Sequence, residues 1–301
     1  MSAVEFASGL AKRFLSDERV EGLRRAYLLG RARLAPLMCR VYGTFDCAAL
    51  REHLEQRIGR DFEVLMVHSS VNHMKPMYTG EALELVRMLI EYVGPTRTLA
   101  MPAFWFGENG EGAYASLKRQ PRFDLRRTPS QMGLATELFR RMPGVVWSRH
   151  PVYRISALGP LAAEITAGHE HASSPAGRGS PFEKMAARDT CIIGLGKPIQ
   201  VLTQAHHTEE LMGDEFPLPS RAGEPLPMTL VDRDGERPFE LRARTVEGRF
   251  DIWRLRRILS PEELREWQFH HVPMFAARAA VVTQRLVEAA RRGVTLYEPL
   301  A

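Results

Sequence analysis

Apolar residues recur along this chain in two alternating textures. The run EVLMVH at 63–68 is short and almost continuously apolar, which predicts a strand buried on both faces. A helix over 45–58 precedes it. After it, Ala82, Leu85, Val86, Leu89 and Val93 recur at helical spacing, with Thr79 as the candidate cap and Gly94 as the stop. The run TLAMPAF from Thr98 predicts a second strand. Residues 106–120 are Gly-rich and aperiodic, the texture of a long loop or lid. Thr128 as N-cap, Pro129 at the first helical position and Gln131 at the capping-box position predict a helix running through Leu138 and Phe139 toward Pro143. Strands are expected at 145–147, 154–158 and 191–195.

Beyond residue 224 the pattern changes to a hairpin, MTLVD then PFELRAR, turning at Asp234-Gly235. Ser260-Pro261-Glu262-Glu263 carries the capping signal of another helix, and a final helix is expected over 275–292. Strands interleaved with helices predict an α/β protein: a three-layer α/β/α sandwich with a mixed sheet, a helical N-terminal extension, and a C-terminal β-hairpin plus helices. The extension, residues 1–45, is helical in pattern and rich in arginine, for example Arg13, Arg24, Arg25 and Arg31. Residues 46–301 form the expected main domain.

A chain of 301 residues with 45% hydrophobic content can bury one large core. The sequence has neither an uninterrupted apolar stretch of about 18 residues nor a secretory signal pattern, which predicts a cytoplasmic protein. Cys39, Cys47 and Cys191 are odd in number and irregularly spaced, so free thiols and no metal centre are expected. The net charge is +5, and residues 1–45 hold eight Lys or Arg against four Asp or Glu. The remainder is close to neutral, which argues against nucleic acid as a partner. The basic arm fits packing on its own domain, on a partner subunit of a homo-oligomer, or on an anionic membrane surface.

Four segments carry candidate chemistry. Val67-His68-Ser69-Ser70 sets two hydroxyls where a strand meets its loop; a simple turn is the plainer reading. Asp124 followed by Thr128-Pro129-Ser130-Gln131-Met132-Gly133 offers a helix N-terminus to an anion, or an ordinary cap with a packing glycine. His150, in Ser148-Arg149-His150-Pro151, suits either a structural hydrogen bond or the lining of a substrate site. In Thr203-Gln204-Ala205-His206-His207-Thr208-Glu209-Glu210, Glu209 stands three residues after His206 on one helix face. There it can hold the imidazole in one tautomer, as a general base requires. A surface His-Glu pair is the alternative; the H-x-x-x-H spacing of a zinc site is missing.

In this order the segments resemble the antibiotic N-acetyltransferase (aminoglycoside 3-N-acetyltransferase) family. The resemblance rests on VHSS (67–70), Met101-Pro102, FD (123–124), TPSQMG (128–133), SRHP (148–151), GRGSPFEK (177–184) and TQAHHTE (203–209), and covers roughly residues 46–290. It implies a three-layer sandwich using acetyl-coenzyme A as co-substrate, without a metal. Carried across by motif, Ser69, Ser70, Thr128, Ser130, Met132 and Gly133 would lie along the coenzyme. His206 would be the base and Glu209 its orienting partner, while Asp124, His150 and Glu210 would serve the acceptor. Leu202 stands where the family often has Asn, and only Gly80 where it often has paired glycines after V-H-S-S. The acceptor therefore stays open between an aminoglycoside, an amino sugar or hydroxyl of surface-polysaccharide or other glycoconjugate synthesis, and, in a non-catalytic coenzyme-binding relative, none.

Overall fold

The computed structural model describes residues 30, 33–172, 174–242 and 244–298. The expected basic arm therefore falls mostly outside the described residues; of it, 33–42 are helical. A seven-stranded mixed sheet forms the centre. Its strands are β1 (Val64–Ser69), β2 (Thr98–Pro102), β4 (Val146–Trp147), β5 (Ile155–Leu158), β6 (Thr190–Leu195), β12 (Leu264–Phe269) and β13 (Val272–Arg278), in the order β12-β13-β6-β1-β2-β5-β4. The central trio β6, β1 and β2 is parallel, and the flanking strands pair antiparallel.

All six residues of β1 are buried because both faces of the sheet are covered. Leu65 and Val67 face a layer containing α1 (Cys47–Arg57), α2 (Ala82–Val93) and α4 (Leu134–Arg140). Val64 and Met66 face the opposite layer, which holds α5 (Ala162–Thr166), α6 (Pro181–Ala186) and α8 (Ala279–Arg291). The strand period of two thus assigns alternate residues to the two cores of a three-layer sandwich. A smaller sheet of β3 (Arg122–Asp124), β8 (Leu226–Asp232) and β9 (Gly235–Leu241) contains the expected hairpin and packs Met228, Leu230 and Phe239 against Trp105 and Phe123. Among the described residues no helix is long and apolar enough to cross a membrane.

Several boundaries differ from the sequence pattern. The cap of α2 is Glu81, whose carboxylate forms a capping box with Glu84, while the Thr79 hydroxyl donates to the Phe45 carbonyl. Residues 106–120 are not all loop, since α3 (Ala113–Arg119) forms within them. Helix α4 starts at Leu134 with Gly133 as its cap, at φ 109°. The side chain of Gln131, expected in a capping box, instead accepts from the Phe106 N–H at 2.6 Å and donates to the Gly107 carbonyl at 2.8 Å. The capping box at Ser260 and Glu263 does form, yet it closes a single turn before β12. There, pairing with β13 outweighs the local helix signal. For the same reason residues 272–278 are strand, and the final helix begins only at Ala279.

Candidate active site

The parallel strands β1 and β6 end on the same side of the sheet, where ligands gather in open α/β folds. A cleft of about 360 Å³ opens there, lined by residues including His68, Ser69, Phe104, Phe106, Met132, Tyr153, Lys197, Thr203 and His206. Gly196 makes the close approach of the two strand ends feasible. At φ 68°, a side chain there would be strained, and its Cβ would lie 2.8 Å from the Ser70 carbonyl oxygen.

His206 and Glu209 stand on α7 (Ala205–Met212). The start of that helix is anchored by Gln204, whose buried amide donates to the Phe182 carbonyl and the Thr283 hydroxyl, both at 3.1 Å. His206 Nδ1 lies 2.8 Å from Glu209 Oε1. A carboxylate there accepts from Nδ1–H, which leaves the Nε2 lone pair free. The other carboxylate oxygen of Glu209 accepts from the Tyr297 hydroxyl. Phe250 stacks on the imidazole at 4.7 Å between centroids, and Tyr153 lies at 6.4 Å. The His206 side chain is 28% exposed, which leaves the imidazole accessible from the cleft.

Two further polar residues, His68 and Ser69, line the cleft. His68 Nδ1 and Ser69 Oγ are buried and have no hydrogen-bond partner within the described protein. Burial, helped by the Lys197 charge, pushes the His68 imidazole down to about 3, so it is neutral at physiological pH. Unsatisfied buried polar atoms are costly unless a ligand completes them, so the cleft suits a ligand with hydrogen-bonding groups at this depth.

The sequence-derived candidates divide into two groups. Ser69, Met132 and His206 line the cleft, with Glu209 behind His206. Ser70 turns aside to bond His73 Nδ1 at 2.8 Å. Thr128, Ser130 and Gly133 flank Met132 without lining the cleft; the Ser130 hydroxyl lies 3.2 Å from that of Thr136. The three acceptor candidates lie elsewhere. Asp124 accepts from the backbone N–H groups of Arg126 and Arg127 and borders a separate depression of about 890 Å³. That depression is larger, but its two carboxylates, Asp124 and Asp232, are already engaged by arginines and, for Asp124, backbone N–H groups. His150 is buried, stacks on His169 at 4.5 Å, accepts from the Val152 N–H and does not line the cleft. Glu210 accepts from the Ala176 N–H at 2.7 Å and braces the 174–177 loop. Its burial, augmented by the Glu209 charge, raises its carboxyl to about 7.

Residues 66–291 match the family model described as Aminoglycoside 3-N-acetyltransferase. The chain belongs to this family. Its members are acyltransferases, and the match spans the cleft and the His206-Glu209 pair. Aminoglycoside N(3)-acetyltransferase III of Salmonella sp is 31% identical over 222 residues, covering 67% of this chain and 76% of the relative. Aminoglycoside N(3)-acetyltransferase IX of Micromonospora chalcea is 28% identical over 165 residues, covering 50% and 57%. The crystal structure of aminoglycoside acetyltransferase AAC(3)-Xa superposes with a TM-score of 0.70 at 21% identity, covering 87% of this chain and 98% of that one. AAC-IIIb, solved as a binary complex with CoASH, gives 0.67 at 22%, covering 85% and 100%. At these identities the structures establish a shared fold.

Within the family frame, Tyr153 and Lys197 are cleft residues for which the sequence offered no signal, and His68 is one that it carried only as part of VHSS. Phe250 and Tyr297 reach the His206–Glu209 pair from the far C-terminal part of the chain. Tyr297 lies beyond the matched region.

Proposed function

We propose that this protein transfers the acetyl group of acetyl-coenzyme A to an amine of an aminoglycoside or related amino sugar, by direct attack within a ternary complex. The observation that carries this reading is the His206–Glu209 pair, 2.8 Å apart, at the edge of a cleft whose buried Ser69 Oγ and His68 Nδ1 lack protein partners. The AAC-IIIb complex with CoASH, a structural neighbour, supports the choice of acyl donor.

Acetyl-coenzyme A supplies a thioester carbonyl, and the residues of this chain do the rest. As an amine attacks that carbonyl, His206 Nε2, its lone pair free, accepts the amine proton. The C–S bond then breaks, and the imidazolium returns that proton to the departing coenzyme A thiolate. Glu209 keeps Nδ1 protonated and offsets the positive charge that then appears on the ring. The Ser69 hydroxyl and the neutral His68 imidazole, both without a partner within the described protein, are the side-chain donors assigned to the oxyanion. A route through an acyl-cysteine has no support. Cys191 packs in the core beneath the sheet, and burial pushes its thiol up to about 11.

The test is thiol release from acetyl-coenzyme A against a panel of aminoglycosides, simple amino sugars and nucleotide-linked amino sugars. Turnover with aminoglycosides is the expected result. Turnover confined to nucleotide-linked sugars would move the acceptor to glycoconjugate precursors, and silence across the panel despite coenzyme binding would overturn the enzymatic reading.

A further inference from the structure

The last residues of the described chain return to the candidate base. After α8, Gly293 turns the chain at φ 77°, and Tyr297–Glu298 pair antiparallel with Arg249–Phe250 as strands β14 and β11. The return is secured by several contacts. The Asp251 N–H donates to the Leu296 carbonyl at 2.7 Å, Arg254 Nε donates to the Thr295 carbonyl at 2.8 Å, and Arg249 pairs with Glu298. Leu296 is buried in the core on the α8 side of the sheet. These contacts fix two aromatic rings against each other, Phe250 and Tyr297 meeting edge to face at 5.2 Å.

We propose that Tyr297 and Phe250 are positioning residues for the acetyl-transfer step, joined by β11–β14 pairing into a clamp on the His206–Glu209 pair. Two contacts carry the inference. The Tyr297 hydroxyl donates to one oxygen of Glu209 while the other oxygen faces His206 Nδ1, so the carboxylate is held at both ends. Phe250 stacks on the imidazole at an interplanar angle of 26°, fixing the ring plane and keeping water from that face. An unclamped Glu209 would sample rotamers in which its charge points away from Nδ1. His206 would then divide between two tautomers, one of which has no Nε2 lone pair facing the cleft. Tyr297 touches neither reactant in this scheme and acts through Glu209. Burial and the Glu209 charge push its phenol well above the ordinary range, so it remains a donor throughout the working pH range.

The inference rests on His206 being the base, and the experiment separates the two. Tyr297→Phe removes one hydroxyl and keeps the ring contacts. Its kcat for thiol release is expected to fall about tenfold, the scale of one net hydrogen bond to a charged group. KM for acetyl-coenzyme A and for the acceptor should stay within about twofold, because Tyr297 does not line the cleft. Side-chain ¹⁵N NMR of His206 should show the Nδ1–H tautomer of the native protein giving way to a mixture. Phe250→Leu, which keeps an apolar side chain but loses the stacked face, should lower kcat in the same sense. Native kcat and an unchanged His206 spectrum in Tyr297→Phe would overturn the clamp. So would a loss confined to KM or to thermal stability, the signature of a merely structural tail. If His206→Ala retained turnover, the base assignment would fall first; if His206→Ala is dead and Tyr297→Phe is native, the clamp alone falls.

Discussion

Replacing Glu209 by glutamine changes charge while nearly preserving shape, and the structure specifies the consequence. The native carboxylate sits 2.8 Å from His206 Nδ1, with side-chain exposures of 14% for Glu209 and 28% for His206, so the pair is only partly screened by water. In Glu209→Gln the amide has two orientations. With its NH₂ toward His206, it donates to Nδ1 and forces the proton onto Nε2, abolishing the base. With its oxygen toward His206, the useful tautomer survives, but the imidazolium formed during transfer has lost its counter-charge. A charge-assisted hydrogen bond contributes about 1.5–3 kcal/mol, which corresponds to a fall in kcat of roughly 10–100-fold. Stability should change little, because a hydrogen-bonding partner for Tyr297 is retained in either orientation. The assay is steady-state thiol release at saturating acetyl-coenzyme A and acceptor, with thermal melting alongside. A kcat within twofold of the native value in a folded variant would refute the orienting role of Glu209.

Two other changes probe groups outside the proposed transfer step. Glu210 has its carboxyl raised by burial from 4.5 to about 7, so the protonated form is favoured in the folded state. The resulting stabilisation is fully present below about 4.5 and is lost as pH rises through about 7. Glu210→Gln keeps an acceptor for the Ala176 N–H and removes that dependence. The variant should therefore melt higher than the native protein at pH 8, by an amount on the order of 2 kcal/mol, with a smaller difference at pH 5; parallel pH profiles would contradict this. Cys191→Ala should leave kcat within about twofold while costing about 1–2 kcal/mol in chemical denaturation, because it removes packed volume from the core. A large loss of kcat in the folded variant would revive a covalent intermediate.

How far the site was legible depended on where its contacts lie along the chain. The continuous apolar run of β1 announced a strand covered on both faces, and the i to i+3 spacing of His206 and Glu209 announced their contact. Local signals failed where a distant partner took over. The Ser260 capping box is real, yet β12 follows because β13 offers a full ladder of pairing. His150 read as structural or substrate-lining, and its stacking on His169, 19 positions along, carries no local sequence signal. Tyr297 reaches Glu209 across a separation of 88 residues, through a two-residue strand pairing with no periodic signature. Contacts made by single side chains at such separations leave no pattern for hydrophobic periodicity or cap chemistry to reveal.

The most direct test of the account is His206→Ala, assayed for thiol release from acetyl-coenzyme A with an aminoglycoside acceptor and, by calorimetry, for coenzyme A binding. Loss of a positioned general base predicts that kcat falls by about 10²–10⁴-fold, while coenzyme A affinity stays within about threefold. Turnover close to native in this variant, with the coenzyme still bound, would contradict the assignment of His206 as the base.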